Sequence, residues 1–254
     1  MVPVALFLLV PPACGGGGSG GTKSLPRATH DRPDDHRQRQ IHFVYAIPGG
    51  RKELDRRRDV DGTLTNSILL IEIWFRSQRR SPRLHVDTYH GLADVTFVRL
   101  PRENYEYDRA GPDALMHDIA RAGLHDPRKL YAVFYSGAPI RSEPDICGLG
   151  SAGPRPFAMV FLAQSCAYDF GASGMGDYNS LVFVMAHELV HELGFVPSCA
   201  PHTLGGGHVG DSTHDLMYPS IEIGVPVLDV HNDDYYLARN GCPDLSRSPY
   251  LTLH

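Results

Sequence analysis

Apolar positions along this chain switch between two periods. Ile41 to Ile47 (IHFVYAI) is a short run rich in β-branched and aromatic residues, stopped by Pro48-Gly49-Gly50, and predicts a strand. From Thr63 to about Gln78 the spacing changes. Leu64, Ile68, Ile71, Trp74 and Phe75 fall on one stripe of a helix. Two strand-like stretches follow, Leu84 to Tyr89 and Val95 to Leu100, with His90-Gly91 as the break between them. Pro112 to Ala122 reads as a helix with proline at an early position and Gly123 just past its end. Leu130 to Tyr135 and Ala158 to Ala163 read as further strands, and Asp177 to Gly194 as a helix that is apolar almost all round. There is no internal repeat. This order predicts an α/β (α+β) layer followed by an irregular C-terminal part, with a cleft between the two.

The N-terminal region breaks the pattern. Val2 to Val10 is apolar but far short of the roughly 20 residues a membrane-spanning helix needs. It has the length of a signal-peptide core, and Ala13-Cys14 is similar to a bacterial lipoprotein cleavage site, with Cys14 as the residue that would be lipidated. No Lys or Arg precedes the apolar run, and Pro11 stands where such sites carry Leu, so cleavage without lipidation is the alternative. Gly15 to about Gln40 is glycine-rich, then charged and nearly free of apolar residues, and is expected to be a flexible linker. The expected organisation is a signal or lipoprotein-like segment over 1–14, a linker over 15–40 and one catalytic domain over 41–254.

Composition narrows the function classes. A content of 42% hydrophobic and 21% charged residues is ordinary globular usage, which excludes wholesale disorder. The net charge of −5 argues against a nucleic-acid partner, because that task needs a basic face. Beyond Cys14 there are four cysteines, Cys147, Cys166, Cys199 and Cys242, an even number suited to an oxidising compartment. Proximity along the chain pairs Cys147 with Cys166 and Cys199 with Cys242; free buried thiols are the alternative. No CxxC spacing recommends them as zinc ligands. The expected location is extracellular or cell-surface, with membrane contact only through an N-terminal lipid anchor, and the expected assembly is a monomer.

Histidine is the outlying residue type: six of the 14 fall between His187 and His231. Within the apolar helix, His187 and His191 lie four positions apart, so their rings leave the same face about one turn apart. Burying two imidazoles and the Glu188 carboxyl among apolar residues costs several kcal/mol unless they are paired or bind a metal. Two nitrogens so placed can reach one Zn²⁺. Glu188 is rotated off the ligand line and free to touch a water beside the metal. His-Glu-x-x-His is the zinc-peptidase signature. A core helix whose histidines only bond backbone is the competing reading.

His187-Glu188-Leu189-Val190-His191-Glu192-Leu193-Gly194, followed by Asp215-Leu216-Met217-Tyr218, resembles the metzincin clan of zinc metallopeptidases. The resemblance implies a twisted mixed sheet with backing helices, an active-site helix and an irregular subdomain below the cleft. It implies a turn at Gly194 towards the third ligand, and Met217 as the floor under the metal. It departs from the clan at the third ligand, where Pro197 cannot bind metal. That ligand must come from the loop Phe195 to His214, which offers His202, His208, Asp211 and His214. His208 follows three glycines, Gly205, Gly206 and Gly207, that can bring backbone close to a metal, and it is the first choice. His202 is second, His214 is expected to cap the turn, and Asp211 to support it.

The activity the resemblance implies is hydrolysis of internal peptide bonds in a polypeptide, with a zinc-activated water and Glu188 as general base. Two other readings stay open: a surface-tethered, non-catalytic binding module with a structural zinc, and a zinc amidase acting on cell-wall peptides. Trp74, Phe75, Tyr105 and Tyr107 could form a substrate-binding aromatic patch, against the alternative of core packing and loop anchoring. Asn232-Asp233-Asp234 hints at calcium without the loop spacing that would support it.

Overall fold

A computed structural model describes residues 25–140, 146–153, 155–163, 180–220 and 224–254. The lipoprotein-like segment with Cys14, the first part of the linker, Cys166 and the expected helix start at Asp177 lie outside the described residues.

The central strand β1 (Gln40–Ile47) is buried along its whole length. Parallel neighbours flank it on both sides, β5 (Val95–Arg99) and β6 (Lys129–Tyr135). β8 (Phe157–Phe161) adds a fourth parallel strand, and β7 (Gly148–Ser151) closes that edge antiparallel, giving the order β5-β1-β6-β8-β7. Alternation decides which face each residue serves. Ile41, Phe43, Tyr45 and Ile47 point to one side, where they pack with Phe134 and Val160 against helix α1 (Thr63–Ser77) and helix α4 (Ser180–Glu192). Val44 and Ala46 point to the other, against α2 (Asn104–Ala110) and α3 (Pro112–Arg121) through Tyr107, Leu115 and Ile119. Helices therefore cover both faces of a mixed sheet, an α+β arrangement. No helix among the described residues is long and apolar enough to cross a membrane.

The strands and long helices predicted from periodicity are present within a residue or two, with three corrections. The stretch Leu84 to Tyr89 is not one strand. It divides into β2 (Arg83–Leu84), which pairs with the C-terminal β11 (Leu251–Thr252), and β3 (Thr88–Tyr89), which forms a hairpin with β4 (Leu92–Ala93). Helix α2 was not expected, because only Tyr107 on it is buried and one residue makes no stripe. It starts on a reciprocal capping box between Glu103 and Glu106. Strand β7 reads Gly-Leu-Gly-Ser, too poor in β-formers to be recognised.

The linker expectation fails over 25–39. Ala28 is buried and bridges Thr96, and Arg27 grips Asp55 and Asp59 at 2.6–2.8 Å. Asp31 and Asp34 reach the buried Lys129 ammonium at 2.6–2.8 Å, beside Asp87 at 2.7 Å. Low apolar content suggested disorder, but here ionic contacts to partly and fully buried partners hold the segment.

Trp74, Phe75 and Tyr107 are fully buried core residues, which removes the substrate-patch reading for all three. The Trp74 indole N–H donates to the Pro226 carbonyl (3.0 Å) and so fastens α1 to the C-terminal part. Tyr105 alone of the four is exposed.

Candidate metal centre

Helix α4 is apolar almost all round because it is sandwiched. Leu181, Val182, Phe183, Met185, Ala186, Leu189 and Val190 are all fully buried. The helix stops at Gly194, whose φ of +88° is the left-handed value that favours glycine. Phe195 N–H donates to Val190 O (3.1 Å) and Gly194 N–H to His191 O (3.0 Å), the paired bonds of a Schellman stop. The chain leaves the helix there, as expected for Gly194.

The loop then builds a hairpin from β9 (Thr203–Gly205) and β10 (His208–Val209). Gly205, Gly206 and Gly207 turn it with φ of +83°, +62° and +80°. At Gly207 space is also limiting, since a Cβ there would lie 2.7 Å from His191 Nδ1. The hairpin returns His208 to the helix. Its Nε2 lies 3.3 Å from His187 Nε2 and 3.3 Å from His191 Nε2, and the last two are 3.1 Å apart.

Each ring is oriented by backbone. His187 Nδ1 donates to the Leu216 carbonyl at 2.6 Å, which leaves Nε2 as a lone-pair donor. His191 is hydrogen-bonded to the backbone of Phe195 and His208 to that of Gly205. Burial lowers the pKa of His187 to about 4 and of His191 to about 3, and lowers that of His208 too, so the rings are neutral near pH 7. Three neutral nitrogens converging at 3.1–3.3 Å cannot all be satisfied by one another. Ligands held tetrahedrally at roughly 2.0–2.1 Å from one metal stand about 3.3 Å apart. The donor set and spacing therefore fit a zinc ion.

Glu188 is nearly fully buried and lies outside this ligand group. Its carboxyl faces β7, where glycines make room. A Cβ at Gly148 would lie 2.3 Å from Glu188 Oε1, and one at Gly150 would lie 2.6 Å from both Glu188 O and His191 Cβ. Burial raises the Glu188 pKa well above the usual carboxylate value. Met217 is fully buried, and its carbonyl accepts from Val209 N–H (3.0 Å), tying the Met-containing turn to the hairpin strand that carries His208. Asp215 shapes that turn by accepting from Met217 N–H (2.8 Å), Val230 N–H (2.7 Å) and the Tyr235 hydroxyl (2.9 Å).

His202, the second choice as ligand, is turned away. Its Nδ1 lies 3.0 Å from Asp234 Oδ2, and its N–H donates to Asp234 Oδ1 at 2.8 Å. Asp211 stands near the same pair, and His214 is exposed on the turn, where its N–H donates to Ser212 Oγ (3.2 Å). Cys199 and Cys242 form a disulfide, as expected, joining this loop to the C-terminal segment; the Cys147–Cys166 pairing lies outside the described residues.

Among the described residues, three groups of His and Asp side chains come close enough to hold a metal, with ligand atoms within 4.8 Å. They differ in chemistry. Asp31, His42, Asp87 and Asp94 already surround the Lys129 ammonium and the Arg32 guanidinium. In the group of His202, Asp211, Asp233 and Asp234, His202 already engages Asp234 at 3.0 Å, and His202 and Asp211 are exposed. Of these three groups among the described residues, His187, His191 and His208 alone consist of histidine nitrogens without a carboxylate.

Sequence reasoning missed Glu192. It is buried directly after His191, and its Oε1 accepts from Tyr131 N–H (3.0 Å), an amide at which β6 has no β8 partner. Burial pushes its pKa up to about 8. An acid on an apolar helix was the available signal. Compared with known proteins, the chain matches no protein-family model and no curated sequence.

Proposed function

We propose that this chain is a zinc-dependent endopeptidase of metzincin type. The observation that carries the reading is the triangle of three Nε2 atoms, 3.1–3.3 Å apart, from two helical histidines and His208. The mixed sheet backed by helices, the Gly194 turn and the buried Met217, next to the Leu216 whose carbonyl meets His187, are consistent with it.

His187, His191 and His208 would hold the metal through Nε2. When bound, zinc supplies Lewis-acid polarisation of a carbonyl and lowers the pKa of a water. The protein's own part falls to Glu188. Its carboxylate takes a proton from the attacking water and returns it to the leaving amine nitrogen. Burial, by raising its pKa, makes that carboxylate a stronger base than a surface glutamate. The same fact weighs against a structural zinc module, which has no need of a buried acid next to its ligands. The substrate is a polypeptide, and the working compartment is oxidising and extracytoplasmic, in keeping with the Cys199–Cys242 disulfide.

The test compares wild type, Glu188→Ala and His208→Ala for zinc content and for cleavage of a broad peptide library. Wild type should hold zinc and cleave. Glu188→Ala should keep zinc and lose activity by about 10²–10⁴-fold. His208→Ala should lose zinc. A wild type that holds zinc tightly and cleaves no peptide would sink the reading; cleavage of cell-wall peptides alone would move the protein to the amidases.

A further inference from the structure

Two ligands sit on a rigid helix, but the third does not. The hairpin carrying His208 has strands of three and two residues, paired only at His208↔Gly205 and Val209↔Thr203 with a register shift between them. A two-stranded hairpin is marginal by itself, and three consecutive glycines lose the most entropy on ordering. Its geometry must be imposed from outside.

On the β10 side the Met217 carbonyl holds Val209 N–H (3.0 Å); a second hold is at His202, where the hairpin closes and the His202 carbonyl accepts from Gly210 N–H (3.0 Å). Asp234 grips this residue twice, its Oδ1 accepting the His202 N–H at 2.8 Å and its Oδ2 meeting Nδ1 at 3.0 Å. One carboxylate thus fixes both backbone and ring. Asp234 is itself immobilised. It is fully buried, its N–H donates to the Asp229 carboxylate, and its carbonyl accepts from Asn240 Nδ2 (3.0 Å). The Cys199–Cys242 disulfide ties the same two segments three residues upstream of His202.

We infer that Asp234 is a positioning residue for the metal centre, setting His208 against His187 and His191 through its grip on His202. The inference rests on the metal-centre reading. His202, a candidate ligand by sequence, then serves as the handle.

The experiment titrates metal-free protein with Co²⁺ and Zn²⁺, reading the visible Co²⁺ absorption and the dissociation constants for wild type, Asp234→Ala, Asp234→Asn and His202→Ala. Asp234→Ala should weaken metal binding about 10–100-fold, the effect usual for residues supporting a ligand, and change the Co²⁺ band shape. Asp234→Asn, which keeps an acceptor for the His202 N–H, should recover most of the affinity. His202→Ala, which keeps the backbone half of the grip, should fall between. Wild-type affinity and band shape in Asp234→Ala, measured where the protein is folded, overturn the inference. If Asp234→Ala does not fold, His202→Ala decides: unchanged affinity and spectrum overturn it. A wild type with no tetrahedral Co²⁺ band instead overturns the metal-centre reading itself.

Discussion

The sheet half of the molecule and the C-terminal part from Phe195 onward are held together by different forces. In the sheet half, β1, β6 and β8 are buried end to end and sandwiched between apolar helix faces. The C-terminal part has two short β9–β10 strands, a terminal β11 and isolated turns. Carboxylates do much of the organising there. Asp229 accepts from the backbone N–H groups of Asp233, Asp234, Tyr235 and Tyr236, and Asp215 from Met217 and Val230. The first region is specified by hydrophobic area, which tolerates approximation. The second is specified by directed bonds to buried acids, which fail when an atom is missing.

The sharpest contrast should come from Phe134 on β6, fully buried and stacked on Phe43 of β1 in the core shared with α1 and α4. Phe134→Ala should cost about 3–5 kcal/mol in denaturant unfolding, with the loss spread over the whole cooperative unit. If only the C-terminal amides lose hydrogen-exchange protection, the division drawn above is wrong. A smaller and more local effect is expected from replacing both Cys199 and Cys242 by serine. The bond closes a separation of 43 residues, and its loss should cost about 2–4 kcal/mol. Exchange should quicken over 197–211 and 229–242 while β1 and β6 stay protected; uniform quickening would break the comparison.

The smallest effect concerns pH. Burial raises the Asp229 pKa to about 6 from an ordinary 3.8, against the pull of its backbone donors. The folded state then holds that proton more tightly than the unfolded chain. Its contribution is complete below about pH 4 and is lost as pH rises through about 6. Asp229→Asn should therefore show a flatter stability profile between those values than wild type when metal-free protein is unfolded in denaturant. Parallel profiles would show that this carboxyl does not titrate differently on folding.

The same division governs what could be read from sequence. The stripe of Leu64, Ile68, Ile71, Trp74 and Phe75 and the run from Ile41 to Ile47 announced their elements, because burial selects apolar residues at the period of the structure. His187 and His191 were legible by the four-residue spacing of a helix. His208 was legible by the glycines before it, which the turn requires at φ of +62° to +83°. Asp234 was not. In Asn232-Asp233-Asp234 it looks like any polar turn, and its partner His202 is 32 residues away. Glycine-rich β7 was illegible for the opposite reason, since close approach of α4 there excludes the side chains that mark a strand. The 25–39 segment misled because its contacts are ionic.

The bond from His187 to the Leu216 carbonyl spans 29 positions, and the disulfide beside the hairpin joins Cys199 to Cys242, 43 positions further on. A polypeptide emerging from its N-terminus can lay down the sheet and both helical histidines before His208 and the groups that position it have been made. The candidate centre is thus a matter of timing: two of its three histidines are made first, and the third, with its supports at Leu216, Asp234 and Cys242, follows.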